Sequence, residues 1–390
     1  MKLAITGFSN SGKTTVFNAL TGLNLDTTSY PTLISPGTEP YIGVVKVPDK
    51  RLERLSSIYK PKKTTYATVE YIDYLGITSA SSGGDSSQNS RVFNLIKDVD
   101  AIIHVVRAFE DESIMHPSGN IDPVRDVKSF ETELVFGDLE FVEKRLEKIE
   151  SAAKKGIKQV EDPTLQGESD KPFLLKCKKA LEDEIPLRNI SFSDEEKRIM
   201  LPYQFLSLIP EIIVLNVGER DINTEKTKKL QNEIENYFKE KSQNAIPLRI
   251  NPEESGRPVI ALCGKLEMEI AQIPQDEAKI FLDELEIEEQ ATNKLCRVSY
   301  EVLDLISFFT VVRNEVRAWT IKKGTTALKA AGKVHSDIER GFIRAEVINF
   351  EDFVSTGEDM VKAKEKGLVR LEGKTYVVKD GDIINFKFNV

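Results

Sequence analysis

The stretch "GFSNSGKTT", residues 7–15, follows the apolar run "KLAIT" and leads into the helix-like "VFNALTG". Gly7 to Thr14 match G-x-x-x-x-G-K-[ST], a pattern that is specific when a strand precedes it and a helix follows it. The glycines let the backbone curl so that successive N–H groups point at one anion. The N-terminus of the following helix adds its partial positive charge. The stretch therefore predicts a phosphate-binding loop in an α/β domain.

The side chains of this loop have separate predicted tasks. Lys13 is expected to reach the β- and γ-phosphates and to neutralise their charge during transfer, while the Thr14 hydroxyl binds Mg²⁺. Lys13 is thus a candidate catalytic residue as well as a phosphate ligand. The predicted phosphate-binding set comprises Asn10, Ser11, Gly12, Lys13, Thr14 and Thr15, together with Gly76 from the next motif.

The motif "YIDYLG" gives D-x-x-G at the end of an apolar strand. A carboxylate at Asp73 is suited to hold Mg²⁺ through water, and the N–H of Gly76 is suited to sense the γ-phosphate. Between the two motifs, Thr38 is a candidate to complete the Mg²⁺ shell, although a plain turn threonine remains the alternative. The predicted metal ligands are Thr14, Thr38 and Asp73.

The stretch "VLNVGE" occupies the place where many GTPases read guanine with N-K-x-D. Here Val217 replaces the lysine and Glu219 replaces the aspartate, so the fit to guanine should be weaker, and ATP is expected to be preferred over GTP. The loop "ALCGK" adds backbone contacts to the base edge. The predicted base-binding set is Asn216, Val217, Glu219, Cys263 and Gly264.

Strand-like and helix-like segments alternate over most of the chain, which predicts a doubly wound, mostly parallel sheet. The helical spacing after residue 130 predicts an inserted hairpin, and the short alternating strands at the C-terminal end predict a β-grasp domain. The predicted fold is a Ras-like P-loop NTPase with a helical insertion and a C-terminal β-grasp domain. Its predicted domains are 1–130 and 205–302 for the nucleotide domain, 131–204 for the helical arm and 303–390 for the C-terminal domain.

Composition limits the partners and the cellular compartment that we expect for the protein. The net charge of −9 argues against wholesale coating of nucleic acid, and no apolar run reaches the roughly 18 residues of a membrane span. The three cysteines show neither metal spacing nor a disulfide framework, and no signal peptide precedes the glycine motif. A cytoplasmic monomer without membrane contact is expected.

Several long motifs resemble one family, the Obg-like ATPases of the YchF type, within the translation-factor-related P-loop GTPases. They include "YPTLISPGTEPYIGVVKVPDKRL", "AIIHVVRAFEDESIMHPSGNIDPVRD", "NVGE" and "EVRAWTIKKGTTALKAAGKVHSDIERGFIRAEVINFEDF". The resemblance implies ATP hydrolysis, association with ribosomes through the arm and a C-terminal TGS domain, and the N-x-x-E pattern as a family trait. The chain departs from the family pattern at Ser9, Ser11, Gly218 and the stretch 78–90.

The resemblance also bears on water activation. Many GTPases orient the attacking water with a glutamine after D-x-x-G, but this chain has Ile77 there, a hydrophobic substitution that the family shares. His116 matches a family histidine to which this role is assigned, and an imidazole is chemically suited to polarise water. The alternative is that His116 is an ordinary histidine of a surface loop. Asn10 matches an asparagine that in related GTPases helps to bind K⁺, so K⁺ is a second candidate cofactor.

Two functional hypotheses stay open at the level of sequence. The first is a Mg²⁺-dependent ATPase that acts as a ribosome-associated switch, with a GTP-preferring GTPase as a variant of it. The second is a module of low turnover that holds a nucleotide and binds RNA or protein. Basic residues of the C-terminal domain could form an RNA-binding face or a plain solvated surface; they are Arg313, Arg317, Lys322, Lys323, Lys329 and Lys333.

Overall fold

The computed structural model describes most of the chain, with gaps in several loops. The described residues are 1–27, 40–74, 76–77, 86–154, 170–200, 202–243, 257–284, 289–312 and 314–389. Thr38, Arg313, the strand that the run "AIPLRI" (residues 245–250) predicts, and residues 78–85 of the stretch 78–90 lie outside them. The described chain forms two compact units, one of residues 1–43 and 70–292 and one of residues 44–69 and 293–390.

The strands and helices are numbered here in chain order. The strands are β1 (Lys2–Thr6), β2 (Tyr41–Lys46), β3 (Lys63–Thr65), β4 (Thr68–Asp73), β5 (Ala101–Ala108), β6 (Glu211–Val217), β7 (Val259–Leu262), β8 (Leu305–Val312), β9 (Glu315–Lys322), β10 (Phe342–Asn349), β11 (Arg370–Glu372) and β12 (Asp382–Phe388). The helices are α1 (Lys13–Thr21), α2 (Lys50–Tyr59), α3 (Ser86–Ile96), α4 (Pro123–Lys154), α5 (Lys171–Glu182), α6 (Asp194–Met200), α7 (Glu225–Gln243), α8 (Gly264–Gln272), α9 (Gln275–Glu284), α10 (Ala291–Val302), α11 (Ala327–Val334), α12 (Ser336–Arg340), α13 (Phe350–Ser355) and α14 (Met360–Glu365).

The sheet of the first unit has the order β2-β4-β1-β5-β6-β7. The pairs β1–β4, β1–β5, β5–β6 and β6–β7 are all parallel. The central strands β1, β5 and β6 are apolar and almost wholly buried, as expected for a parallel sheet with covered faces. The loops that follow β1, β4, β5, β6 and β7 therefore meet at one edge, where a ligand of such a sheet binds.

A helical hairpin is inserted between β5 and β6. Its helices α4 and α5 bury an apolar stripe that includes Val142, Leu146 and Leu174. At its base, the carboxylate of Asp138 accepts hydrogen bonds from the backbone N–H groups of Leu206 (2.7 Å) and Ser207 (2.8 Å). Burial raises the pKa of Asp138 to about 6, against the opposing effect of the Ser207 bonds. The single helix α4 runs through the domain boundary predicted at 130/131.

The second unit contains a mixed sheet with the order β11-β10-β12-β8-β9-β3. Strands β8 and β9 form an antiparallel hairpin, and the C-terminal strand β12 lies parallel to β8. Helix α11 packs its alanines Ala327, Ala330 and Ala331 against this sheet. Two antiparallel hairpins joined by a helix, with the last strand between them, give the β-grasp arrangement that the sequence predicts.

Residues 44–69 contribute α2 and β3 to the second unit. Strand β3 pairs in parallel with β9, and Lys63 lies opposite Glu315 in that register. Arg51 of α2 forms an ion pair with Asp380 at 2.6 Å. The boundaries predicted from the sequence place this segment in the first domain; those boundaries stay a prediction. Among the described helices, none combines the length and the apolar character needed to cross a bilayer.

Candidate nucleotide-binding site

The phosphate loop depends on backbone conformations that favour glycine. Gly7 has a φ of 143° and Gly12 a φ of 88°, and Asn10 between them has a φ of 64°. A Cβ at Gly7 would collide with the carbonyl oxygen of Val105, and one at Gly12 would collide with the side-chain amide of Asn216. The first and last glycines of the motif are therefore required both by conformation and by the close approach of neighbouring chain.

Lys13 lies inside the curve of this loop. Its ammonium donates a hydrogen bond to the carbonyl oxygen of Phe8 at 2.9 Å, and the residue is 9% exposed. Burial lowers the pKa of Lys13 to about 8, although the nearby Asp73 carboxylate acts in the opposite direction. An ammonium has three N–H donors, so the remaining donors can serve phosphate oxygens. A Cβ at Gly76 would stand 2.8 Å from this ammonium and 2.9 Å from the backbone N and Cα of Ser9, and the close backbone approach favours glycine at that position.

The side chains of Thr14, in α1, and Asp73, at the end of β4, are in direct contact. The hydroxyl of Thr14 donates to Oδ2 of Asp73 at 2.8 Å, which joins the start of α1 to the end of β4. Asp73 is 9% exposed, and its Oδ1 has no hydrogen-bond partner among the described residues. Burial raises the pKa of this carboxyl group, while the bond from Thr14 and the charge of Lys13 partly offset that rise. A buried carboxylate oxygen without a partner is costly unless a cation or a donor meets it.

Asn216 connects the phosphate loop with the loop after β7. Its Nδ2 donates to the carbonyl oxygen of Ser11 at 3.0 Å, and its Oδ1 accepts from the N–H of Gly264 at 2.9 Å. The residue is 5% exposed, and both ends of its amide are bonded to backbone. Asn216 therefore fixes the distance between two loops that border the site. Thr15 lies at the same junction, with its methyl 3.5 Å from where a Cβ of Gly264 would stand.

The other predicted base-binding side chains point in different directions. Val217 is 3% exposed and packs in an apolar cluster with Val106 and Leu215, so only its backbone can face a base. Cys263 packs with Leu266 and Ile270, and burial raises the pKa of its thiol. Glu219 is exposed, at the start of a short 3₁₀ turn. Of this set, Glu219 alone keeps a solvent-facing polar side chain.

His116 is buried and engaged at both ring nitrogens. Its Nε2 lies 3.0 Å from Oδ2 of Asp126, and its Nδ1 accepts from the N–H of Ser118 at 3.1 Å. Burial lowers the pKa of His116, and Asp126 opposes that shift. The adjacent Met115 carbonyl accepts from Nδ2 of Asn10 at 3.0 Å, which brings the His116 loop against the phosphate loop. In this arrangement neither ring nitrogen is available to orient water, so the predicted catalytic role requires the loop to rearrange.

Two residues at the end of β5 border the candidate site, and sequence reasoning missed both. The guanidinium of Arg107 donates to the carbonyl oxygens of Phe109, Asp111 and Ile114 at 2.9–3.2 Å and thereby shapes the loop that carries His116. The guanidinium carbon of Arg107 lies over the Phe109 ring, 4.7 Å from its centroid. The edge of the same ring would lie 3.9 Å from a Cβ at Gly12. The available signal was a lone arginine inside the apolar run "AIIHVVRAF".

Ile77, which follows D-x-x-G, is 1% exposed and lies in the apolar core with Phe8 and Phe130. Its N–H donates to the carbonyl oxygen of Gly7 at 3.0 Å. The side chain therefore supports the phosphate loop from the core and takes no part in placing water. Among the described residues, no cluster of three or more His, Cys, Asp or Glu could form an all-protein metal site.

Fold and site together define a P-loop nucleotide-binding protein with a helical insertion and a second α/β unit. The family model "50S ribosome-binding GTPase" matches residues 2–136, and the model of the YchF GTPase C-terminal family, "Protein of unknown function (DUF933)", matches residues 305–389. The "Ribosome-binding ATPase YchF" of Bacillus subtilis (strain 168) is 40% identical over 386 residues, which span 99% of this chain and 98% of that protein. Its namesake from Escherichia coli O157:H7 is 38% identical over 390 residues, with 100% and 99% covered.

The chain therefore belongs to the YchF family, as its motifs predict. Among solved structures, the Schizosaccharomyces pombe YchF GTPase superposes with a TM-score of 0.76 at 29% identity, with 99% of this chain and 97% of that chain covered. A GTP-binding protein from Pyrococcus horikoshii OT3 has a TM-score of 0.57 at 19% identity over the full length of both chains, which supports the fold alone. The predicted fold class is confirmed.

Proposed function

We propose that this protein is a Mg²⁺-dependent nucleoside triphosphatase that prefers ATP over GTP and works on the ribosome. The observation that carries the proposal is the convergence of Lys13, Thr14 and Asp73 on one phosphate loop, with an unpartnered Asp73 oxygen among the described residues. Relatives that match the whole chain are named ribosome-binding ATPases, which supports both the reaction and the partner.

The donor set fits Mg²⁺. This ion takes oxygen ligands, usually from one or two protein groups together with substrate phosphates and water. The Thr14 hydroxyl and Oδ1 of Asp73, which has no hydrogen-bond partner within the described part of the chain, are such ligands, and Thr38, outside that part, is the third that we propose. Bound there, Mg²⁺ would neutralise charge on the transferring phosphate. Lys13 and the backbone N–H groups of residues 10–15 would hold the phosphate oxygens in place.

The ATP preference rests on the base side of the site. The lysine stem that flanks guanine in many GTPases is absent, because Val217 stands in its place. The Val217 side chain packs in the core and does not face the base. The exposed carboxylate of Glu219 is left to meet the base edge, and a longer carboxylate than aspartate disfavours the guanine fit. The ring of Phe109, beside Gly12, offers an apolar surface that either purine can contact.

Water activation requires a change at His116. The proposed catalytic His116 must exchange its bonds to Asp126 and Ser118 before an imidazole nitrogen can face water. K⁺ is the second cofactor of the proposal and rests on Asn10, whose Nδ2 donates to the carbonyl oxygen of Met115 and whose side-chain oxygen is the group that would bind the ion.

The engaged state of His116 favours a second candidate function. With Ile77 in the core and both nitrogens of His116 bonded, the protein would hold a nucleotide with low turnover and act as a binding module. A ribosome that releases His116 would convert this module into the active enzyme, so the two candidates differ in the basal rate.

The partner surfaces that we propose are the helical hairpin and the C-terminal β-grasp unit, with the ribosome or its RNA as the partner. A cytoplasmic monomer that makes no membrane contact is part of the same proposal.

Side-by-side calorimetry of ATP and GTP with Mg²⁺, followed by sedimentation with ribosomes, tests the proposed function. We expect tighter binding of ATP and co-sedimentation with ribosomes. Tighter binding of GTP would show that Glu219 reads guanine and would make the chain an ordinary GTPase. Failure to co-sediment in every nucleotide state would overturn the ribosomal partner.

A further inference from the structure

Strand β5 carries one imidazole that the proposed chemistry does not use. His104 is 0% exposed and lies between Ile102, which belongs to one apolar cluster, and Val106, which belongs to another. Burying a polar ring in such surroundings costs free energy unless its polar atoms find partners. Its Nε2 has no partner among the described residues, so the other contacts of the ring must offset the cost of burying it.

The ring of His104 lies directly against the phosphate loop. A Cβ at Gly7 would stand 3.3 Å from Cδ2 of His104, closer than an ordinary van der Waals contact, so the ring packs against the backbone of this glycine. The same ring stacks on Phe130 of α4, with centroids 3.8 Å apart and planes 22° apart. The imidazole therefore fills the space between helix α4 and the first glycine of the loop.

The backbone that His104 supports also positions Lys13. Phe8 follows Gly7, and its carbonyl oxygen accepts the hydrogen bond from the Lys13 ammonium at 2.9 Å. The Phe8 ring meets Phe130 edge-on, with centroids 6.4 Å apart. Phe130 thus contacts both His104 and Phe8, and a shift of this stack would move the carbonyl oxygen that holds Lys13.

His104 is itself held by a buried carboxylate. Its Nδ1 lies 3.1 Å from Oε1 of Glu211, whose Oε2 accepts from Arg257 at 2.8 Å and from Arg188 at 3.1 Å. Burial alone would raise the pKa of Glu211, but Arg257, His104 and Arg188 outweigh it and lower that pKa to about 2. The ionised carboxylate accepts from Nδ1–H and fixes the orientation of the ring.

Arg188 joins this cluster to the base of the helical hairpin. It lies in the 3₁₀ turn Leu187–Asn189, and its Nε donates to the carbonyl oxygen of Ser207 at 2.5 Å. The N–H of Leu187 donates to the hydroxyl of Ser207 at 3.1 Å, and Leu187 is fully buried in the hairpin core. A continuous series of contacts therefore runs from the hairpin through Arg188, Glu211 and His104 to Gly7.

We propose that His104 is a positioning residue for the phosphate loop, and that Glu211 and Arg188 make its position depend on the base of the hairpin. The inference deepens the proposed function and rests on it, because it assigns to the hairpin an influence on nucleotide affinity. A ligand that moves the base of the hairpin would then alter how the loop holds phosphate.

Two His104 variants and one Arg188 variant of the full chain test this inference. His104→Asn keeps a donor toward Glu211 but removes the ring beneath Gly7, while His104→Phe keeps the ring and its stack but removes the donor. We expect Mg·ATP affinity to fall roughly three- to thirtyfold in His104→Asn, less in His104→Phe, and roughly twofold to fivefold in Arg188→Met. If one His104 variant fails to fold, the other carries the test.

Tyr237→Phe is the matched control. It deletes a 2.8 Å hydrogen bond to Glu131 in the same charge cluster, which Arg257 also joins, but it lies away from the phosphate loop. We expect it to lower the melting temperature and to leave ATP affinity unchanged. Equal losses of affinity in Tyr237→Phe and the His104 variants would mean general destabilisation and would overturn the proposal. Unchanged affinity in Arg188→Met would overturn the link to the hairpin.

A measurement without nucleotide separates this inference from the proposed function. Amide hydrogen exchange in a peptide spanning residues 7–17 should accelerate in His104→Asn and stay at the wild-type rate in Tyr237→Phe. If the wild type does not bind Mg·ATP, the proposed function fails, but the exchange comparison still decides the role of His104. Wild-type exchange in both His104 variants would overturn that role.

Discussion

The phosphate side of the site and the loop of residues 109–119 border the same space but are built in different ways. The phosphate side uses backbone turns, two glycines and a short motif in which Lys13 and Thr14 are adjacent. The 109–119 loop is held by side chains that flank it, with Arg107 bound to three of its carbonyl oxygens and Asp126 bound to His116. A site made by local backbone geometry leaves its motif in the sequence, whereas a loop held by side-chain hydrogen bonds leaves no such motif and rearranges when those bonds are exchanged.

The largest effect that sharpens this comparison is expected on the phosphate side, from Asp73→Asn. The change removes the charge of the carboxylate that we propose as a Mg²⁺ ligand, and we expect Mg²⁺-dependent turnover to fall about a hundredfold or more. Steady-state phosphate release over a range of Mg²⁺ concentrations measures it. Asp194→Asn, at a side chain that is 94% exposed, is the matched control and should keep full activity. Wild-type Mg²⁺ dependence in Asp73→Asn would contradict the metal assignment.

A smaller effect is expected from Asn216→Ala, at the junction of the two loops. The carbonyl oxygen of Ser11 and the N–H of Gly264 would lose their partner, and each such loss costs about 1–3 kcal/mol. We expect ATP and GTP each to bind roughly tenfold more weakly, with the ratio of their affinities unchanged, because Asn216 holds the two loops together and does not contact the base.

Calorimetry with both nucleotides measures the effect, and Asn385→Ala, which removes only a contact to Glu346 in the second unit, is the control. A change in the ratio of ATP to GTP affinity would show instead that Asn216 reads the base directly.

The pH dependence of ATP binding should report Lys13. Its pKa of about 8 in the free protein means that part of the population is neutral above that pH, whereas phosphate binds the ammonium form. ATP affinity should therefore weaken by up to about tenfold per pH unit above pH 8. Calorimetry at pH 9 in buffers of different ionisation enthalpy should show proton uptake approaching one, with almost none at pH 7. Uptake that is the same at both pH values would mean that Lys13 is already charged.

The smallest expected effect concerns His116. Burial lowers its pKa below the unfolded value of about 6.5, so below that pH the unfolded chain takes up a proton more readily than the folded protein. The free energy of unfolding should therefore decrease as the pH falls through 6.5, and this part of the slope should vanish in His116→Asn. Urea titrations at pH 5.5 and 7.5 measure it. A slope that is identical in both proteins would place His116 in water, free to act without rearrangement.

The sequence predicts the features that arise locally. The strand, glycine turn and helix around Lys13 follow from one continuous stretch, and the D-x-x-G motif brings Asp73 to the edge of the same sheet because parallel strands end together. The β-grasp order of the second unit also follows from its short alternating strands and their helix.

The features that sequence reasoning could not reach depend on contacts that leave no pattern in the sequence. Nothing in the segment 44–69 reveals that β3 pairs with β9, some 250 residues further on, because a three-residue strand carries almost no periodicity. The side chain of Val217 faces the core because side chains alternate between the two faces of β6. Its position in the N-x-x-E motif nevertheless suggests a contact with the base. The bonds of Asn216, Arg107 and Glu211 all join positions whose spacing in the chain carries no pattern.

The most direct test of the central claim is single-turnover cleavage of Mg·ATP by the wild type and by Lys13→Ala, with Lys229→Ala, an exposed lysine of α7, as the control. We expect the wild type and Lys229→Ala to release phosphate at the same rate, and Lys13→Ala to release essentially none. Ribosomes should accelerate the wild type and leave Lys13→Ala inactive. Equal phosphate release by Lys13→Ala and the wild type would contradict the account, because the hydrolysis would then not occur at this phosphate loop.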